Sequence, residues 1–232
     1  MDKISVIQDL IDAVKGRIYL EIGVASGDCF LKIRADNKIA VDPEFTIPLR
    51  RKLKGCFDKR KKYYYRMPSD DFFRNAPCAL LKKGVDVVFV DGLHTHEQTL
   101  RDIKNSLGFL KPGGAIVVHD CNPKSPASAY PAASYEEAKN ARPEGWTGEW
   151  SGDVWKTMPY LRSTRGDLGI FVLDCDCGLG IITKGGDNPL LECEPGKIKH
   201  MDYGELEKRR EYLLNLKPES YLSVFLQNIK RR

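Results

Sequence analysis

No run in this chain approaches the ~18 consecutive apolar residues that span a bilayer, and Met1-Asp2-Lys3-Ile4 opens into an amphipathic pattern rather than a signal peptide. A cytoplasmic protein with no membrane partner is the expectation. The seven cysteines are odd in number and scattered, with no C-x-x-C pair to suggest a zinc or redox site, and they read as reduced thiols. Cys175 and Cys177, beside Asp174 and Asp176, offer metal-ligating groups, but a hairpin turn accounts for the same residues. There is no internal repeat and no G-x-G-x-x-G fingerprint, so the usual signature of a bound pyrophosphate is missing. Histidine is scarce, and three of the four, His94, His96 and His119, fall close together.

What is present is ordinary for a globular enzyme: 42% hydrophobic and 30% charged residues over a length that α/β folds commonly fill with one domain, here 1–232. The patterning predicts an N-terminal helix within 1–16, closed by Gly16, then strands at 17–22 and 39–41 flanking a helix at 25–33. Further on it predicts a helix at 50–54, a strand at 63–66, a helix beginning at 70–73 and a helix at 96–107. The unbroken run 85–90 fits a strand buried on both faces of a parallel sheet. Lys111-Pro112-Gly113-Gly114 reads as a turn into a fifth strand at 115–118. The proline-rich stretch 123–155 is expected to be an irregular lid or substrate-binding segment, 154–161 to be helical, 169–174 with 179–183 to form a hairpin, and 203–232 to give C-terminal helices split by Pro218. The fold class is therefore α/β: a doubly wound, Rossmann-like sheet, mostly parallel, with an antiparallel C-terminal hairpin strand.

Charge is unevenly spread. The net charge is +5, and nine Lys and Arg residues lie within 50–66, interleaved with Tyr63, Tyr64 and Tyr65. A nucleic-acid-binding module is one reading of this stretch, because aromatics stack bases while cations meet phosphates. A solvated helix and edge strand is the favoured one, so nucleic acid is not the expected partner.

In a doubly wound sheet, ligands bind beyond the carboxyl ends of the strands. Those ends collect Glu21 with the loop Gly23-Val24-Ala25-Ser26-Gly27-Asp28, then Asp42, then Ser69 and Asp70, then Asp91 with His94, then His119 and Asp120. The G-x-x-x-G loop lets backbone approach a ligand closely, while Glu21 and Asp28 disfavour a phosphate and suit a sulfonium and an ammonium group. Asp42, nineteen residues after Gly23, is placed to accept ribose hydroxyls. An NAD- or nucleotide-sugar-binding Rossmann protein is the alternative that the same arrangement admits. Ser69 and Asp70 read equally as a helix cap before Phe72.

The segments YLEIGVASGD, VDPE, PSDDFF, VVFVDGLHTHEQTLRDI, LKPGGAIVVHD and GDVWK together resemble class I S-adenosylmethionine (SAM)-dependent methyltransferases, specifically methyltransferase family 24, over roughly residues 17–185. The resemblance implies that Glu21, Gly23, Ser26 and Gly27 contact the methionine part of SAM, Asp42 the ribose, and Ser69 and Asp70 the adenine edge. Methyl transfer to a hydroxyl needs the acceptor positioned and its proton removed. His94 and His119, with Asp91, are the catalytic candidates. Asp91, Asp120 and Asn122 are the candidate ligands for Mg²⁺, by resemblance to metal-dependent O-methyltransferases, although Cys121 stands where those enzymes usually carry a second Asp or Asn. The acceptor is expected to be a small molecule or glycan bearing a hydroxyl, walled by the segment 123–155. Oligomerisation through the C-terminal helices is open.

Overall fold

The computed structural model describes residues 1–51, 60–75, 79–186 and 189–229. Among the described residues, eight strands form one sheet: β1 (Ile18–Ile22), β2 (Asn37–Val41), β3 (Lys61–Tyr65), β4 (Val85–Val90), β5 (Leu110–Val118), β6 (Leu168–Leu173), β7 (Leu179–Lys184) and β8 (Leu216–Lys217), in the order β3-β2-β1-β4-β5-β7-β6-β8. All pairings are parallel except those of β7 with β5 and with β6. The order reverses at β1, so the crevice beyond the carboxyl ends of β1 and β4 is where this topology opens a ligand site.

Both faces of the sheet are covered, which is why β4 alternates no polar residue toward solvent. Val88 and Val90 pack on one side against α2 (Ser69–Asn75) and α3 (His96–Phe109), through Phe72, Ile103 and Leu107. Helix α4 (Tyr135–Ala141) lies in the segment 123–155, and α5 (Thr157–Thr164) and α6 (Tyr203–Leu214) join the same layer as α2 and α3. Val87 and Phe89 meet α1 (Lys3–Ala13) and α7 (Tyr221–Ile229) on the other side. The C-terminal helices thus cover opposite faces of the sheet. Asp2 caps α1 by accepting the Ser5 amide at 2.8 Å, and the apolar stripe Val6, Ile7, Leu10, Ile11 faces the strands. No described helix is long and apolar enough to cross a membrane.

Two segments differ from the sequence expectation. Residues 25–33 form successive turns instead of a helix, because Gly23, Ala25 and Gly27 all take positive φ (82°, 41° and 74°) and the chain cannot settle into a continuous helical ladder. The buried Lys38 of β2 donates its ammonium to the carbonyls of Phe30 and Ile33 at 2.6 and 2.8 Å, satisfying acceptors that a helix would have used. The Lys111–Gly114 turn is instead absorbed into β5 as a register shift opposite Val85 and Val87. Gly114 is required there, since a Cβ would stand 2.6 Å from the Asp86 carbonyl oxygen. The expected helix at 50–54 and the basic stretch 50–66 fall partly on residues 52–59, outside the described residues, as do 230–232 of the C-terminal stretch, Cys56 and Cys78.

Candidate active site

A cavity of about 840 Å³ opens beyond the carboxyl ends of β1, β2, β4 and β5. It is lined by Glu21, Gly23, Ser26, Asp42, Ser69, Asp70, Asp91, His94, His119 and Asp120, so ten residues from five separate sequence motifs share one space. Gly27 and Asn122 are not in its lining. Gly27 forms a turn, its amide donating to the Val24 carbonyl at 2.8 Å. Asn122 is fully buried elsewhere: its amide donates to Asp174 at 2.9 Å, and its oxygen accepts from Arg210. The side chain is spent in the packing of α6 and the β6–β7 turn and does not join Asp91 and Asp120.

The loop after β1 is held from two directions. Asp42 Oδ2 accepts the amides of Val24 and Ala25 at 2.7 and 2.8 Å, and Oδ1 accepts that of Glu44 at 2.7 Å. A carboxylate offers about four acceptor positions, so about one remains for a ligand hydroxyl rather than two. Gly23 has no room for a side chain: a Cβ would lie 2.0 Å from the Asp91 carbonyl oxygen. That glycine lets the β1 loop abut the β4 loop, which is a packing requirement ahead of any ligand contact. Since residues 25–33 are turns, no helix N-terminus points at the cavity from this loop, and a pyrophosphate would lack the dipole and free amides that bind it.

Glu21 is 1% exposed and accepts the Tyr19 hydroxyl at 2.5 Å. Burial, opposed in part by that hydrogen bond, pushes its pKa up to about 8. At the far end of the cavity Ser69 is not a helix cap. Its hydroxyl donates to Asp102 at 2.6 Å, and Gln98 donates to Asp102 at 3.0 Å and to Asp70 at 3.4 Å. Burial raises Asp102 to about 6. Asp102 and Gln98 both line the cavity and were missed in the sequence, where they look like ordinary positions on an amphipathic helix.

Beside Asp91 stands the catalytic-candidate cluster. His119 Nδ1 lies 2.9 Å from Asp120 Oδ2 and 3.2 Å from Asp91 Oδ1, and Nε2 lies 3.4 Å from Asp176 Oδ1. Burial alone would lower its pKa, but hydrogen bonds to Asp120, Asp176 and Asp91 push it up to about 12. His119 is therefore an imidazolium clamped among three carboxylates, and it has no lone pair with which to take a proton near neutral pH. His94 differs. Its Nδ1–H donates to the Trp150 carbonyl at 2.8 Å, the ring stacks on the Trp150 indole at 5.3 Å, and Nε2 faces Asp91 Oδ1 at 3.5 Å. Burial works against its charged form, but Asp91 and Asp120 together raise its pKa. His96 is a packing residue, bonded to Thr157 at 3.0 Å with its pKa lowered by burial.

The long segment includes α4 and contributes Glu149 and Trp150 to the lining of the cavity. Ser151 donates to Asp120 Oδ1 at 2.8 Å, Trp150 Nε1 donates to the Tyr130 carbonyl at 2.8 Å, and Tyr135 contacts both Trp146 and Trp150. Asp153 instead receives the His96 amide at 2.6 Å, anchoring the start of α3. Trp155 is core. Lys3, from the first turn of α1, reaches Asp91 Oδ2 at 2.9 Å. Asp91, His94 and Asp120 present ligand atoms within 4.8 Å of one another.

Residues 20–121 match the family model of a methyltransferase domain, Methyltransf_24. No curated protein matches the sequence. Among solved structures, the chain is similar to a Staphylococcus aureus protein assigned as a caffeoyl-CoA O-methyltransferase (17% identity, 80% of this chain and 85% of that one, TM-score 0.56). It is also similar to the O-methyltransferase TomG of Streptomyces achromogenes, solved with SAM (14%, 79% and 80%, 0.55). The O-methyltransferase of Bacillus cereus, solved with S-adenosylhomocysteine, is a third (9%, 78% and 80%, 0.52). These likenesses establish the fold, and the family model falls on the strands and loops that build the cavity. Residues 20–121 are thus similar to the methyltransferase domain of that model, and the chain has the fold of these O-methyltransferase structures.

Proposed function

We propose that the enzyme methylates a hydroxyl oxygen of a small acceptor, in the class of sugars, glycans or hydroxylated natural products. The observation that carries this reading is His94: a histidine whose tautomer is fixed by the Trp150 carbonyl, whose Nε2 faces Asp91, and which lines the cavity beside the Trp150 indole. Sugar and planar rings both stack on such an indole. That the solved neighbours include O-methyltransferases supports transfer to oxygen.

The donor set suits an adenosyl amino acid. Glu21 and Asp91 provide anions for an ammonium and a sulfonium, Asp42 an acceptor for a ribose hydroxyl, and Ser69, Asp70 and Gln98 a polar rim for adenine. Bound SAM supplies a methyl group on a positively charged sulfur. His94 Nε2 receives the acceptor's proton as the oxygen becomes nucleophilic, and Asp91 stabilises the resulting imidazolium. His119 holds Asp91, Asp120 and Asp176 in register, and Ser151 fixes the second oxygen of Asp120. Trp150 orients the base and bounds the acceptor.

The compact arrangement of Asp91, His94 and Asp120 favours a second reading, in which these three hold a divalent cation such as Mg²⁺ that polarises the acceptor hydroxyl. The imidazole makes a transition-metal dication as good a match. Incubation with methyl-labelled SAM and a panel of hydroxylated acceptors, each with EDTA, Mg²⁺ or Mn²⁺, tests both. Label in an O-methyl product is expected; label only in N- or S-methyl products overturns transfer to oxygen, and full activity in EDTA overturns the metal reading.

A further inference from the structure

Among the described residues, eight carboxylic acids line the cavity against a single lysine, Lys3, and the imidazoles of His94 and His119. A SAM molecule carries a carboxylate as well as its cations, and a carboxylate in so acidic a space needs a counter-charge. Four of the loop amides are already engaged: those of Gly23, Val24, Ala25 and Gly27 donate to Val41, Asp42, Asp42 and Val24. His119 is enclosed by its three carboxylates. Lys3 is different, because its ammonium meets one carboxylate oxygen, Asp91 Oδ2 at 2.9 Å, lies over the Phe89 ring at 5.6 Å, and keeps 26% of its side chain accessible on the cavity side of α1.

We infer that Lys3 binds the α-carboxylate of the cofactor, with Asp91 taking the adjacent α-ammonium, so that the Lys3–Asp91 pair is a preformed complement to an amino-acid zwitterion. This rests on the SAM reading of the cavity and adds a residue to it. An ion pair of this kind exchanges partners when the zwitterion arrives, each charge trading one counter-charge for another, which leaves neither desolvated charge unpaired. The backbone at the start of α1 is fixed from outside the helix, since the Lys3 amide donates to Asp176 Oδ2 at 2.5 Å and so ties the helix start to the turn that also meets His119. The N-terminal helix is thereby a wall of the cofactor site as well as a cover for the sheet.

The test is calorimetric titration of the wild-type chain, Lys3→Met and Lys3→Arg with S-adenosylhomocysteine and with its decarboxylated analogue, which lacks only the α-carboxylate. Wild type is expected to bind S-adenosylhomocysteine about tenfold or more tightly than the analogue. Lys3→Met should lose about that factor for S-adenosylhomocysteine and bind the analogue within about twofold of wild type, and Lys3→Arg should retain the discrimination. Equal loss for both ligands, or no loss for either, overturns the assignment. Failure of wild type to bind either ligand overturns the cofactor reading and the assignment with it.

Discussion

One carboxylate oxygen of Asp42 receives the Val24 amide at 2.7 Å, and the Ala25 amide reaches the same oxygen at 2.8 Å. The residue that ends β2 therefore shapes the loop that ends β1 before any ligand arrives. Asp42→Asn replaces one acceptor by a donor facing a donor, whichever way the amide turns. Loss of stability of about 1–3 kcal/mol is expected, together with at least tenfold weaker S-adenosylhomocysteine binding. Thermal melting and calorimetry measure the two separately; a variant that melts like wild type contradicts the loop-anchoring role.

Glu21 should couple cofactor binding to proton release. Its folded-state pKa, about 8, lies above the ordinary 4.5, so near pH 7 the folded protein holds a proton that the unfolded chain has lost. Stability from this group is greatest below about pH 4.5 and falls as pH rises toward about 8. A cation in the cavity lowers the pKa again and expels the proton. Titration in buffers of different ionisation enthalpy should report proton release near pH 7, and Glu21→Gln should abolish both that release and the stability slope.

His94→Gln should reduce kcat by about 10²–10⁴-fold while S-adenosylhomocysteine affinity stays within about twofold. In wild type, activity should rise with pH as the imidazole loses its proton, with a midpoint above the ordinary 6.5, because Asp91 and Asp120 outweigh the burial that disfavours its charge. A pH–rate profile of unchanged shape in the variant would remove His94 from the base role.

The prediction for His119 is one of stability. Its folded pKa of about 12 against the ordinary 6.5 contributes stability that is fully present below about pH 6.5 and is lost as pH rises toward about 12. Three carboxylates lose their shared cation in His119→Gln, so the variant should melt lower than wild type at pH 6 and converge on it at alkaline pH. Parallel melting curves across that range would contradict the clamped imidazolium.

Lys38→Met leaves the carbonyls of Phe30 and Ile33 buried without the ammonium that now bonds them. The expected cost is on the order of 1–3 kcal/mol for each acceptor left unsatisfied, read as a lower urea midpoint at unchanged slope. No measurable change would mean that water replaces the ammonium under the turns.

Much of the fold was legible because its signals are local. Alternation disappears in Val85–Val90 since that strand is covered twice, and Gly, Pro and Asp mark the strand ends where the chain must turn. The same punctuation exposed Glu21, Asp42, Asp91 and Asp120, because a doubly wound sheet gathers whatever follows its strands. The turns at 25–33 were hidden: Ala25 carries no mark of its positive φ, and apolar spacing suits a helix equally well.

What the sequence by itself determined is the order of strands and the identity of the groups at their carboxyl ends, including the loop at Gly23 to Gly27. Only the tertiary structure decided how those groups are used. It spent Asn122 on Arg210 and Asp174, turned His119 into a clamped cation, set His94 between the Trp150 carbonyl and Asp91, and brought Lys3 to Asp91 across 88 positions of sequence. The physical reason is that a side chain's charge state and free lone pairs depend on neighbours from other elements. Those neighbours are fixed by packing, and no local pattern records them.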